Sequence, residues 1–560
     1  MYGPGPTVAV SSVGVGPVTP GGELVALLRS EPATYVRTAD VRGTAASDLL
    51  SHLTEGRLVR IDRTTDELEP WLAEGWTASD DRQTYTFRLR DGLRFSDGAP
   101  FTSADVLFSL RAVYHPDVRS SLAGDLLVAG QPLLAEAPDS RTVVIRLPSP
   151  FAPGPRLLAN LPILPRHKLE AALDEGRLAD IWSPANGPAG FTGLGPFVLT
   201  EHVAGQRLVF ARNQHYWRRD AAGTPLPYLD ALTVLVVADT NAEALRLQSG
   251  DADLMVNGDI RPEDYAAFKR LADQGRLRLI PGGVGLDPNL LWFNLSAAKQ
   301  QDPRFPWMGQ AAFRHAISCA VDRQAIADVV YLGEAVPIHG PVTPANQTWY
   351  VPPADPCDRN PARARELLAS LGLADRNGNG MLEDAEGRPA RFSLITQSGH
   401  TLRERTAAIL QEQLRQVGIA VDVVGLDPGG LFQRYQQGDY DAIYFGVQGS
   451  HTDPVMVPAF WLSSGSFHFW NPGQPAPATD WERRIDELMA QQATTFDLAE
   501  RQRLFADVLR IFAEHMPALY FVAPTVTIAV SSRVANEQPV SQIPQLLWSA
   551  DTLGRTAPGR

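Results

Sequence analysis

Residues 391–446 read RFSLITQSGHTLRERTAAILQEQLRQVGIAVDVVGLDPGGLFQRYQQGDYDAIYFG. Apolar runs of strand length alternate with two stretches of helical periodicity, and Gly418 and Gly438 stand where the helices must stop. This β-α-β-α-β order admits few folds. Strands separated by helices run parallel and are joined by right-handed crossovers. Residues 231–256 (ALTVLVVADTNAEALRLQSGDADLMV) repeat the pattern as strand, helix, Gly250 stop and strand, with Thr240 and Glu243 supplying a capping box. Two such regions, far apart in the chain, predict two α/β lobes and not one barrel.

The length of 560 residues exceeds what one core supports and suggests about three domains. Within 84–98, Tyr85, Phe87 and Leu89 alternate with Thr84, Thr86, Arg88 and Arg90, the period of a half-buried strand. Asp91-Gly92 then marks a turn, with Leu93 and Phe95 beyond it, so a hairpin is expected. Thr102 and Asp105 cap a following helix whose buried stripe is Val106, Leu110 and Val113. The net charge of −13 and the lack of any Lys/Arg run exclude a nucleic-acid binder. No window of eighteen apolar residues would span a membrane. The first twenty residues read as a flexible leader without a secretion signal: either the chain is cytoplasmic, or its signal has been removed. Cys319 and Cys357 are the two cysteines; buried, unpaired thiols are favoured here over a disulfide.

Open α/β sheets bind ligands in the loops beyond the carboxyl ends of their strands. That rule selects Gln397 and His400 after one strand and Gln448, Ser450, His451 and Asp453 after another. The segment 460–474 (FWLSSGSFHFWNPGQ) lacks periodicity and places Trp461, Phe467, Phe469 and Trp470 around His468. Such rings either line a ligand site or plug the loop onto the core; Trp461, His468 and Trp470 are taken as ligand candidates.

Residues 375–386 (DRNGNGMLEDAE) match the calcium-loop pattern of an EF-hand at every position. Asp375, Asn377, Asn379, the Met381 carbonyl, a water held by Glu383, and Glu386 would supply oxygen. A helix precedes the loop but a strand follows it, so a gating switch is not expected and a structural calcium is. No cofactor is expected for function. The chain has no nucleophile elbow, no phosphate loop ending in Gly-Lys-Ser/Thr and no zinc-binding H-E-x-x-H, and therefore no enzyme signature.

The run EPWLAEGWTASDDRQTYTFRLRDGLRFSDGAPFTSADVLFSL (69–110) closely resembles the signature of the extracellular solute-binding proteins of family 5, the oligopeptide- and dipeptide-binding proteins of ABC importers. GGELVALLRSEPATY (21–35), GLGPFVLTEHVAGQRLVFARNQHYW (193–217), LWFNLS (291–296), FRHAISCAVDRQAI (313–326) and the helices of 483–522 follow in the family's order. The resemblance implies a periplasmic-binding-protein-like α/β fold: three domains in two lobes, joined by a hinge around a ligand cleft. Domain I would be 21–58, 189–284 and 516–560, domain II 59–188, and domain III, the second lobe, 285–515. It further implies a monomer, periplasmic or otherwise extracytoplasmic, that captures a peptide or other small polar solute by hinge closure and delivers it to a membrane permease. Tyr35, Trp292 and Asn294 join the ligand candidates on the family's elements. The alternatives are a hydrolase-like enzyme using the cleft, or a sensor or chaperone-like binder with the same fold.

Peptide-binding relatives read roughly G-W-x-x-D-x-x-[DE]-P at residues 446–454, and their internal Asp pairs with the peptide's α-ammonium. Here Val447 replaces the Trp and Ser450 the Asp. A buried ammonium without a carboxylate is costly. Either Asp453 turns inward to replace it, or Asp453 caps the turn before Pro454 and the ligand is not a free-amine dipeptide.

Overall fold

A computed structural model describes residues 18–41, 44–354, 356–446 and 452–556. Two compact units emerge, Met1–Gly283 with Val526–Arg560, and Val284–Thr525. The first crossing, between Gly283 and Val284, lies one residue before the boundary that the resemblance implies. The second comes later than the expected 515/516, because strand Ala518–Tyr520 is hydrogen-bonded into the sheet of the second unit beside Leu290–Phe293.

In the first unit, strand Glu23–Leu28 is parallel to both Ala231–Val236 and Leu254–Asp259, so the predicted crossover straddles it. The helix between them, Thr240–Ser249, is capped by Asp239, whose side chain accepts from Ala242 N. The expected Thr240–Glu243 box does not form; Glu243 is buried and pairs with Arg29 at 2.7 Å instead. Gly250 ends the helix in the left-handed region at φ 87°. A separate antiparallel sheet runs Ala73–Ala78, Thr84–Leu89, Thr142–Arg146, Leu134–Asp139. Tyr85, Phe87 and Leu89 are buried as their period requires. Residues 93–95 do not pair with Thr84–Leu89 across the Asp91-Gly92 turn, as the expected hairpin would require; they fold back over Asp97-Gly98, with Phe95 N on Ala99 O (2.8 Å), Phe101 N on Leu93 O (3.0 Å) and a bridge of Arg94 to Pro100. Thr84–Leu89 finds its partners in Ala73–Ala78 and Thr142–Arg146. The capping box of helix Ser103–Tyr114 is present as read, with Val106, Leu110 and Val113 buried.

The second unit is built on a mixed five-stranded sheet in the order Ala420–Leu426, Arg391–Gln397, Ala442–Phe445, Leu290–Phe293, Ala518–Tyr520. The first three strands are parallel, with helices Thr401–Arg415 and Pro428–Gln437 between them, as the alternation demanded. Phe293, Phe313 and Phe392 meet edge to face in its core. Cys319 and Cys357 are joined as a disulfide, which corrects the expectation of free thiols. The pairing depends on helix Ala311–Ala320 and the segment before helix Pro361–Ser370 meeting in space, and a sequence separation of 38 hides this from the sequence. Among the described residues, no helix is long and apolar enough to cross a membrane.

Candidate functional site

The second unit carries a cavity of about 170 Å³. Its position follows from strand direction. Leu290 pairs with Phe445 and with Tyr520, so residues 286–290 lie at the carboxyl ends of Ala442–Phe445 and Ala518–Tyr520. Leu286, Pro288 and Leu290 line the cavity, and so do Thr452 and Pro454, which follow the loop leaving Ala442–Phe445. This is the strand-end location at which open α/β sheets bind ligands.

Seven of the eighteen residues that line the cavity are aromatic. Trp349, Trp461 and Phe505 form one side, with Trp461 edge-on to Phe505 at 5.0 Å. Phe467 and Phe469 stack at 5.6 Å on another, and Phe467 is 42% exposed, giving the cavity an open aromatic rim. Side chain to backbone bonds hold the walls in place: Asn346 Nδ2 donates to Thr452 O (2.8 Å), Thr343 Oγ1 to Gly285 O (2.9 Å) and Gln502 Nε2 to Thr348 O (2.8 Å).

Asp453 does not turn into this cavity. Its carboxylate caps the short helix Pro454–Met456 by accepting from Val455 N and pairs with Arg501 at 2.7 Å, both side chains being buried. The Arg501 guanidinium lies 4.8 Å over the Trp349 ring. Of the two readings offered by the sequence, turn capping is the one found, and Arg501 adds to it.

The other candidates fall in several places. Trp461 lines the cavity, whereas His468 and Trp470 are not among the residues that do. His468 Nε2 meets Glu482 Oε1 at 3.0 Å, and Trp470 packs on the His468 ring at 4.1 Å. Burial alone would raise the Glu482 carboxyl, but hydrogen bonds from His468, Thr479 and Gln474 overcome it and bring the pKa down to about 2. Trp292 is buried and stacked on Phe469 at 4.7 Å, within the wall behind its face. Asn294 acts as a clamp, donating to Gly438 O (2.8 Å) and accepting from Ser296 N. Tyr35 belongs to the first unit, where its hydroxyl is 2.5 Å from His202 Nδ1. Gln448, Ser450 and His451 lie outside the described residues.

Gln397 and His400 converge on a residue the sequence did not single out. Arg403, in the first turn of helix Thr401–Arg415, donates from Nη1 to Gln397 Oε1 (2.5 Å), and its own backbone N donates to His400 Nδ1 (3.4 Å). Its Nε donates to Asn289 Oδ1 (2.8 Å) and Nη2 to Gly446 O (3.3 Å), with the Phe445 ring 4.1 Å away. Burial lowers the His400 pKa, and the adjacent Arg403 charge adds to the effect. In the sequence Arg403 is one of two arginines in TLRERT, a run that reads as a solvated helix face.

The loop Asp375–Glu386 folds around its own acceptors. Asp375 takes backbone N–H bonds from Gly378 and Gly380, Asn377 from Asn379, and Asn379 from Met381. Gly380 adopts φ 84°, which suits glycine at the sharp turn of such loops. Glu383 accepts from Asn377 Nδ2, and Glu386 pairs with Arg388 at 2.7 Å. Helix Pro361–Ser370 precedes the loop and strand Arg391–Gln397 follows, with no second helix to swing.

A family model for the middle region of bacterial extracellular solute-binding proteins, family 5, matches residues 67–469. A protein of Deinococcus radiodurans named as a probable ABC transporter-binding protein is 28% identical over 90% of this chain and 87% of its own length. The nickel-binding periplasmic protein of Escherichia coli is 27% identical over 85% of this chain and 86% of its own. Among solved structures, the oligopeptide-binding protein AppA of Bacillus subtilis, in complex with a nonapeptide, superposes with a TM-score of 0.72 at 22% identity, covering 97% of this chain and all of that one.

Proposed function

The chain belongs to family 5 of the bacterial extracellular solute-binding proteins, the binding components of ABC importers, and from this we propose that it captures a peptide or other small solute at the aromatic strand-end cavity of residues 284–525. One observation carries the reading: in a chain of this family, an aromatic cavity stands where the parallel strands end. The cavity suits binding, since rigid rings present large contact area at little conformational cost. An oxidised Cys319–Cys357 pair agrees with an extracytoplasmic location. The protein acts as a monomer that closes on its solute by hinge motion at the crossings near 284 and 525, then docks on a permease. The named relatives differ in what they bind, nickel in one and a nonapeptide in the other.

Two measurements test this. Protein denatured after purification is expected to release a small solute detectable by mass spectrometry. Small-angle scattering is expected to show a smaller radius of gyration with that solute than without it. An unchanged radius at saturation, with binding verified by calorimetry, would refute closure.

We propose that Asp375–Glu386 holds calcium as a staple. The exposed oxygens of Asp375, Asn377, Asn379 and Glu386 and the Met381 carbonyl suit a hard cation, which would draw Glu386 away from Arg388. With the millimolar affinity of extracellular modules, about 5 mM calcium is expected to add about 1–2 kcal/mol of stability. Asp375→Ala should abolish that gain and leave solute affinity unchanged. A melting curve indifferent to calcium would refute the staple.

A further inference from the structure

Two of the chain's four Asn-Gly pairs, Asn377-Gly378 and Asn379-Gly380, stand next to each other in the loop Asp375–Glu386; the others are Asn186-Gly187 and Asn257-Gly258. An asparagine followed by glycine carries its own chemistry. The glycine nitrogen attacks the asparagine Cγ, because the glycine has no side chain to hinder it and its backbone turns freely. The glycine N–H gives up its proton, the Cγ–Nδ2 bond breaks, ammonia leaves and a succinimide closes. Water then opens that ring at either carbonyl, to aspartate or to isoaspartate. Water enters and ammonia departs, with no oxidant or reductant.

The fold decides how readily each pair reacts. Residues 375–380 are all exposed, so water reaches both bonds of the loop. Yet both attacking nitrogens are already engaged, and by one side chain. Gly378 N donates to Asp375 Oδ1 (2.8 Å) and Gly380 N to Asp375 Oδ2 (2.9 Å). These bonds fix the peptide planes that must rotate before either nitrogen reaches its Cγ. The carboxylate charge also opposes loss of a proton from the nitrogen beside it. The two asparagine amides are held unequally. Asn377 Oδ1 accepts from Asn379 N (3.0 Å) and its Nδ2 donates to Glu383 Oε1 (2.5 Å), so both ends of that amide are fixed. Asn379 Oδ1 accepts from Met381 N (2.8 Å), whereas its Nδ2 has no acceptor among the described residues. Asn186 offers a comparison within the same chain. It is exposed, its Nδ2 donates to Asp180 O (2.8 Å), and Gly187 N has no acceptor among the described residues.

We infer that Asn377-Gly378 and Asn379-Gly380 form a deamidation site in which Asp375 restrains both attacking nitrogens and Asn379 reacts before Asn377. The site itself stands without calcium; only its consequence for the ion rests on the staple reading above. Both asparagines would supply oxygen to that ion. Aspartate at either place adds a carboxylate to the calcium loop, whereas isoaspartate lengthens the backbone by a methylene and displaces the oxygens that follow. A bound calcium would hold both Oδ1 atoms and slow the reaction, so the ion would preserve the groups that bind it.

The test incubates the full chain in mildly alkaline buffer with a chelator. Peptide mapping by mass spectrometry follows the amide-to-acid mass gain at Asn186, Asn377 and Asn379, with fragment ions separating the two loop sites. In the wild type, Asn186 is expected to convert first, then Asn379, then Asn377. Asp375→Ala should speed both loop sites by ~10-fold and leave Asn186 unchanged. Asp375→Asn keeps a single acceptor oxygen, so it should release one glycine N–H and accelerate one loop site far more than the other. General loosening of the loop would accelerate both alike. Millimolar calcium is expected to slow both loop sites further and leave Asn186 unchanged. The inference is overturned if the loop sites of the wild type convert as fast as Asn186, if Asp375→Ala leaves their rates unchanged or neither site converts in it, or if Asp375→Asn accelerates both alike. Should Asp375→Ala not fold, the wild-type order of the three sites decides. The staple fails separately: a melting curve indifferent to calcium ends it and leaves the chelator result standing. Calcium that raises the melting temperature without slowing the loop sites overturns the protection by the ion.

Discussion

Asp453→Ala is expected to lower stability by about 3–5 kcal/mol, because it strands the buried Arg501 charge. The Arg501 side chain is 8% exposed, and beyond Asp453 its partners among the described residues are Gln492 Oε1 at 3.4 Å and the face of Trp349. Neither replaces a carboxylate. Asp453 also caps Pro454–Met456, and the loss of that bond adds to the effect. Arg501→Met should be similarly damaging, since it leaves the carboxylate unpaired. The double variant Asp453→Ala with Arg501→Met should recover much of the loss, because it removes both charges. Urea unfolding of the four proteins closes the cycle. A loss below about 1 kcal/mol for the single variants would show a well-hydrated pair, leaving Asp453 free to meet a ligand. The result bears directly on function, because Thr452 and Pro454, on either side of Asp453, line the cavity.

Removing the disulfide is expected to have the next largest effect. The bridge closes a loop of 38 residues, and the loop-entropy relation puts its contribution at about 3–4 kcal/mol. The segment is also anchored where it ends: Asn360 N donates to Cys319 O (2.6 Å), and the buried Arg323 reaches Cys357 O. Cys319→Ala with Cys357→Ala should therefore keep the fold and lower the unfolding midpoint of residues 284–525 by roughly 6–8 °C. The same shift should follow reduction of the wild type and be absent when the double variant is treated with reductant. Matching midpoints for oxidised and reduced protein would mean that these elements are already held together in the unfolded chain.

Much of the scaffold was legible before any coordinate. The parallel order of Arg391–Gln397, Ala420–Leu426 and Ala442–Phe445 follows from helices of matching period between them, and Gly438 marks a helix end by its left-handed backbone. The rule that ligands bind beyond strand ends pointed to the loop after Ala442–Phe445, and Thr452 and Pro454 beyond it line the cavity, as does Trp461, whereas Gln397 and His400 do not. Where local reasoning failed, a tertiary partner had intervened. Glu243 suits a capping box, but Arg29 drew it away and Asp239 capped the helix instead. Leu93 and Phe95 alternate like a strand, yet Thr84–Leu89 was already flanked on both edges.

The sequence by itself determined the α/β lobes and the family, because periodicity, caps and motifs are properties of residues a few positions apart. Which charges neutralise one another was decided only in the folded molecule. Asp453 and Arg501 are 48 residues apart in the chain and 2.7 Å apart in space. Arg403 looks like any surface arginine until Asn289, Gln397 and Gly446 surround it with neutral acceptors. Charge pairing depends on distance and on exclusion of water, and both are set by packing between segments that do not adjoin along the chain.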